Sequence, residues 1–149
     1  MFKHILLPTD GSKLSAKGAK QTIKMAKALG ANITVVHVVS DYYTLLQDEG
    51  FATSNMPTLK KLFEDRTAIR AKEILGPVKG AADKAGVECD TVVAIGEKPY
   101  EMIIEQAKKS KCDLIIMASH ARKGIQGILF GSETAKVLSH SKIPVLVLR

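Results

Sequence analysis

Five short apolar runs punctuate the chain. They are Ile5-Leu6-Leu7, Ile33 to Val39, Thr91 to Ile95, Leu114 to Ala118 and Val145 to Leu148. The second, third and fifth are rich in β-branched residues, and runs of this length fit parallel strands covered on both faces. Amphipathic stretches lie between them. From Ser12 to Leu29, Ala16, Ala19, Ile23 and Ala26 form an apolar stripe, while Lys13, Lys17, Lys20, Lys24 and Lys27 recur at steps of three and four on another face. That period predicts a helix, which Gly30 ends. A second helix is predicted from about Pro57 to Ala85, burying Leu59, Leu62, Phe63, Ile69, Ile74 and Leu75, with a kink or break at Gly76-Pro77. Pro99 to Lys109 reads as a third helix with proline in its first turn, and Ser132 to His140 as a fourth.

Alternating strands and helices with short links imply βαβ units. Right-handed crossovers then give a doubly wound parallel α/β sheet. The one long connection, Ser40 to Asn55, is polar, mixed and aperiodic, as lids and binding loops are. At 149 residues the chain has room for one domain, predicted over 1–149.

Composition removes several function classes. Hydrophobic residues make up 46% and charged residues 25%, as in ordinary soluble proteins. Aromatics are 5% with no tryptophan, which argues against stacking platforms for single-stranded nucleic acid. A net charge of +7 permits contact with phosphates, nucleic acid or an acidic partner, or is simply a lysine-rich surface. Nucleic-acid binding through the Lys13–Lys27 stripe is the weakest of these, because no known nucleic-acid module is present. Cys89 and Cys112 fit no CxxC or metal-ligand pattern, and His4, His37, His120 and His140 show no HExxH spacing, so no zinc site is expected. Both cysteines read as reduced and buried, which suits the cytoplasm. Pro8 and Asp10 cut the first apolar stretch well short of a signal peptide or membrane helix, and no other run reaches ~18 residues. The expectation is a soluble, cytoplasmic protein without membrane contact.

Ligands of open α/β sheets bind at the carboxyl ends of the strands, at the switch in strand order. Three segments should meet there. In Pro8-Thr9-Asp10-Gly11-Ser12, Asp10 is an acceptor suited to ribose hydroxyls or an adenine amine, and equally a turn or helix-capping carboxylate. The end of the second strand, His37-Val38-Val39, offers backbone groups that can read a base edge; His37 itself reads as a core or edge histidine. After Met117-Ala118, the loop Ser119 to Phe130 carries Arg122 and Lys123 and leads into Gly131-Ser132 at a helix start. Free N–H groups and a partial positive charge there favour phosphate. A plain loop with Ser132 as N-cap is the simpler reading of the same residues. GxGxxG, the P-loop pattern GxxxxGK[ST], the GxSxG elbow and a Ser/His/Asp triad are all missing.

Taken together, the segments resemble the universal stress protein family over essentially the whole chain. The resemblance rests on Ile5 to Ser12, Val35-Val36-His37-Val38, Gly96-Glu97-Lys98-Pro99 with Ile103 and Ala107, Asp113 to Met117, and Gly131-Ser132 through Ile143 to Val147. It implies a Rossmann-like open five-stranded sheet of order 3-2-1-4-5, homodimers formed through the last strand, and a stress-response regulatory module binding ATP or a related adenine nucleotide, with or without Mg²⁺, and hydrolysing it slowly if at all. An unidentified protein partner would then receive the signal. The family's nucleotide motif is Gly, two residues, Gly, nine residues, then Gly-Ser or Gly-Thr. It falls on Ala118, Ala121 and Gly131-Ser132, so the spacing and the phosphate end are kept while both leading glycines are alanine. The resemblance places adenine near Pro8, Thr9, Asp10 and Val38. It places ribose and phosphates near Met117, Ala118, Ala121, Arg122, Gly131, Ser132 and Glu133, the last through its backbone N–H. Two methyl groups where backbone approaches ligand leave an alternative, a nucleotide-free dimeric interaction protein with an impaired pocket. The edge argument for the dimer stands by itself: Val145 to Leu148 on an open edge would be an aggregation hazard that pairing with a twin removes.

Overall fold

A computed structural model describes residues 1–41, 56–119, 122–124, 127–129 and 131–149, with 56, 122–124 and 127–129 described by backbone alone. The elements are β1 (His4–Pro8), α1 (Lys13–Leu29), β2 (Asn32–Val39), α2 (Met56–Ala85), β3 (Cys89–Ile95), α3 (Pro99–Lys109), β4 (Leu114–Ala118), β5 (Arg122–Gly124), β6 (Gly127–Leu129), α4 (Ser132–His140) and β7 (Val145–Leu148). Most of the long connection, residues 42–55, lies outside the described residues, as do 120, 121, 125, 126 and 130.

Five parallel strands form the main sheet in the order β3-β2-β1-β4-β7. Counting only these strands, that is 3-2-1-4-5. The chain lays down β1, β2 and β3 in one direction and then returns to the other side of β1 for β4 and β7. The carboxyl ends of β1 and β4 therefore part company, and a crevice opens between the connections that leave them.

Alternation along each strand divides the core in two. Ile5 and Leu7, Ile33 and Val35, and Leu114 and Ile116 face one side, where they pack with Ala19, Ile23 and Ala26 of α1 and Ala71, Leu75, Val78 and Ala82 of α2. Leu6, Val36, Ile115 and Met117 face the other, against Ile103, Ile104 and Ala107 of α3 and Val137 of α4. Helices thus cover both faces.

Five details differ from the pattern-based expectation. On α1, Ala16 is exposed, while Ser15, Gly18 and Thr22 are buried. Both hydroxyls bond back to their own helix, Ser15 to the Ser12 carbonyl at 2.9 Å and Thr22 to the Gly18 carbonyl at 2.9 Å, so their burial leaves no polar group unmet. On α2, Leu62 and Ile69 are exposed, and Leu59 and Phe63 are only half-buried. The helix runs through Pro77 without a break. Ile74, Leu75 and Val78 are buried on both sides of it, and that packing outweighs the roughly 3 kcal/mol an internal proline costs. β3 is an edge strand whose Val93 and Ile95 are exposed, so it is not covered on both faces. Finally, β5 and β6 form a small antiparallel pair, Arg122 opposite Leu129 and Gly124 opposite Gly127, within what the sequence presents as a plain loop.

Candidate functional site

The first wall of the crevice is the turn from β1 into α1. Thr9 continues the sheet: its N–H donates to the Val36 carbonyl at 2.9 Å. Its hydroxyl is buried, donating to Ser15 Oγ at 3.1 Å and accepting from the Gly11 N–H at 3.4 Å. The Ser12 hydroxyl accepts from the Ser15 N–H and caps α1. Asp10 closes an Asx turn by accepting from the Ser12 N–H at 2.9 Å. Burial pushes the Asp10 carboxyl up, but hydrogen bonds from Ser12 and Ser15 outweigh it and hold the group below its ordinary value. At neutral pH an ionised acceptor therefore stands at this end of the crevice.

The second wall is the end of β2. His37 Nδ1 lies 2.9 Å from the Thr9 carbonyl. A carbonyl only accepts, so Nδ1 carries the proton and Nε2 is left as an acceptor in the neutral ring. His37 ties β2 to the β1 turn, which the sequence did not reveal.

The third wall brings two helix starts together. Pro99 opens α3, whose N-cap residue Lys98 supplies no side-chain capping hydrogen bond. Glu133 of α4 fills that role from 33 residues away: its Oε2 accepts from the Tyr100 N–H at 2.9 Å, while Oε1 pairs with Lys136 at 3.0 Å. The carboxylate is thereby turned toward α3. Among the described residues no side chain caps the amino end of α4. Ser132 is its first helical residue, which displaces the reading of Ser132 as N-cap; Gly131 holds that position, and its N–H donates to the buried Ser119 Oγ at 3.2 Å. Of two adjacent helix starts, one holds a carboxylate from the other helix, and the other has no side-chain acceptor among the described residues.

Between these walls lies a cleft of about 320 Å³. Of the residues singled out by sequence, Pro8, Thr9, Asp10, Val38, Met117, Ala118 and Glu133 line it. A second hollow of about 250 Å³ shares Leu14, Ala118, Glu133 and Thr134 with it and reaches Ser119, Gly131 and Ser132. Joined, the two fall within the roughly 300–1,000 Å³ of small-ligand sites. Ala121 lies outside the described residues, and Arg122 is described by backbone alone, in β5. Sequence reasoning missed Leu14, Ser15, Pro99, Ile103 and Thr134 as lining residues. Pro99 and Ile103 carried a usable signal, since a proline-started helix after a strand end must begin at this rim.

The ends of the crevice differ in charge. The ionised Asp10 marks one, and the uncapped positive pole of α4 marks the other. Among the described residues no group of three or more His, Cys, Asp or Glu is placed to hold a metal ion. None of the described helices is long and apolar enough to cross a membrane.

Comparison with known proteins agrees with this frame. A model of the universal stress protein family matches residues 1–149. Universal stress protein MJ0531 of Methanocaldococcus jannaschii is 33% identical over 150 residues, covering 100% of this chain and 83% of the relative. The solved structure of MJ0577, from the same organism, superposes with a TM-score of 0.77 at 26% identity, over 99% of this chain and 96% of that one. A universal stress protein from Archaeoglobus fulgidus, solved in complex with dAMP, superposes with a TM-score of 0.68 over 100% and 98% of the two chains; at 19% identity that likeness is one of fold. A family model spanning the whole chain, a full-length relative and the 3-2-1-4-5 parallel sheet together establish that this chain belongs to the universal stress protein family.

Proposed function

We propose that the crevice binds an adenine nucleotide, ATP foremost, and that the protein acts as a nucleotide-responsive regulatory module in a cytoplasmic stress response. The observation that carries this is the uncapped amino end of α4, which faces a hollow continuous with a largely apolar cleft that ends at the ionised Asp10. The α4 end suits phosphate, and Asp10 suits a donor such as a ribose hydroxyl or the adenine amine. Apolar faces of Val38, Ile103 and Met117 between them suit a base. The dAMP complex of a protein of the same fold supports the ligand class. Mg²⁺ would travel on the phosphates, because Glu133 already serves Tyr100 and Lys136 and the described residues hold no carboxylate cluster for it.

The protein is further proposed to be a homodimer through β7. All four residues of this edge strand are half-exposed in the monomer, and a two-fold strand pairing would cover them. Light scattering that returned a 16.1 kDa particle at micromolar concentration would refute the dimer.

The test of the ligand is a thermal shift with ATP and Mg²⁺ at about a hundredfold excess over Kd, against GTP and buffer. Ligand binding to the folded state alone adds about 2.7 kcal/mol at that ratio, roughly a 5–10 °C rise in Tm. No ATP-selective rise would overturn the nucleotide reading and leave the dimeric interaction protein in its place.

A further inference from the structure

The motif position held by Ala118 has a partner in a different element. By strand alternation Ala118 lies on the same face of β4 as Leu114 and Ile116, the face packed against α1. On α1 the residue opposite is Gly18, buried in the middle of the helix. A Cβ placed on Gly18 would lie 2.7 Å from the Ala118 Cβ and 3.8 Å from its Cα. The methyl is nearer by most of a carbon–carbon bond, so it points at α1 and occupies the notch that Gly18 leaves. Gly18 has no positive φ to demand glycine, and a glycine inside a helix is destabilising against alanine. Its use lies in the close contact.

We propose that Gly18 is a positioning residue for the nucleotide crevice. It houses the Ala118 methyl, so that α1 and β4 keep the spacing they would have if position 118 were glycine and position 18 alanine. The inference rests on the nucleotide reading for its functional arm. Its structural basis is that α1 and β4 are opposing walls: Leu14, one turn before Gly18, and Ala118 line both hollows. The end of β4 is pinned on its other side, since the Ser119 N–H donates to the Leu148 carbonyl at 3.0 Å. A methyl added at Gly18 therefore displaces α1 or forces the end of β4 into the crevice. On this account the departure at Ala118 from the nucleotide motif is compensated within the chain.

The experiment is a double-mutant cycle of Gly18→Ala and Ala118→Gly on the full chain, read twice. The first readout is Tm without nucleotide. Gly18→Ala is expected to raise Tm when residue 118 is glycine, through helix propensity, and to lower it by comparison when residue 118 is alanine. The two effects should differ by roughly 3–8 °C. The second is calorimetric titration with ATP and Mg²⁺. Gly18→Ala alone is expected to weaken binding at least tenfold, and the double variant to bind as the original does. Equal effects of Gly18→Ala in both backgrounds overturn the pairing. Coupled stabilities with unchanged ATP affinity in Gly18→Ala overturn the positioning role. If the original protein binds no ATP, the nucleotide reading fails, and the Tm cycle still decides the pairing.

Discussion

Removing the Glu133 carboxylate tests the claim that one helix start at the crevice is capped by another helix. In Glu133→Ala the Tyr100 N–H loses its 2.9 Å acceptor, and no side chain on Lys98 replaces it. Losing a cap costs about 0.5–2 kcal/mol, and losing a negative charge at the positive pole of α3 about 0.3–1 kcal/mol more. The Lys136 pair adds little, because its partners are 49% and 35% exposed. The net expectation is a loss of about 1–2 kcal/mol, read as a lower urea midpoint at unchanged m. Glu133→Gln keeps a carbonyl acceptor of the same reach and should recover about half. Glu133→Asp is one methylene short and should behave like alanine. Because the carboxylate faces α3, Glu133→Gln should leave ATP affinity within about twofold of the original. Weakened ATP binding with an unchanged urea midpoint would refute the reasoning, since the carboxylate would then serve the ligand or its metal.

Other outcomes follow from the same geometry. Asp113 accepts from the Lys3 N–H at 2.8 Å and the His4 N–H at 3.0 Å; burial pushes its carboxyl up, but these bonds hold it below its ordinary value. A depressed folded pKa contributes stability above the unfolded value near 4 and loses it as pH falls through the folded value, so Asp113→Asn should flatten the acid limb of stability below about pH 4 without changing the slope near pH 7, as checked by urea midpoints across pH. Burial pushes the Cys89 and Cys112 thiols up to about 11, only partly countered by Lys79 and by Thr34 respectively. Disulfide-exchange labelling at pH 8 should therefore be slow in the native protein and fast in denaturant, and rapid native labelling of both would contradict their burial. Pro77 is exposed inside a continuous helix, so Pro77→Ala should stabilise by about 1–2 kcal/mol after the gain in unfolded-chain entropy is subtracted; a fall in Tm would show that proline sets the helix path.

Much of the fold was legible because parallel strands bury both faces and so appear as apolar runs. Leu114 to Ala118 and Val145 to Leu148 are read to the residue. What the runs do not encode is the position of a strand in the sheet. The β-branched run at β3 looks like a central strand, yet strand order places it at an edge with Val93 and Ile95 exposed. Periodicity likewise marks a stripe on α2 without saying what stands opposite, and Leu62 and Ile69 of that stripe do not join the core. On α1 the error ran the other way, because Ser15, Gly18 and Thr22 are small enough to meet the sheet closely and polar enough to be discounted. At the crevice, the turn residues and Gly131-Ser132 could be found from strand ends and helix starts. Glu133 could be placed there too, but not the role of its carboxylate, which acts across 33 residues on a helix whose N-cap residue does not cap it. The β5–β6 pair had a readable signal, two residues between Gly124 and Gly127, the spacing of a tight hairpin.

A glycine in a binding motif answers one of three demands: a positive φ, the approach of a neighbouring element, or the approach of a ligand. Gly131 separates them. Its φ is −55°, so backbone conformation does not require glycine. Among the described residues a Cβ there would meet only Ser119 Oγ, at 3.7 Å, an ordinary contact, so their packing does not require glycine either. The remaining demand is the ligand, at a helix start in the crevice that no side chain among the described residues caps. Gly131→Ala should therefore cost no more than about 1 kcal/mol of stability, the scale of exchanging glycine for alanine at an N-cap. The same substitution should weaken ATP binding by tenfold or more, because the added methyl stands where phosphate must come close to the N–H groups of α4. Calorimetric titration and urea denaturation of the one variant decide between the demands. A large stability loss would mean that packing or backbone requires the glycine, and unchanged ATP affinity would mean that phosphate does not bind against α4.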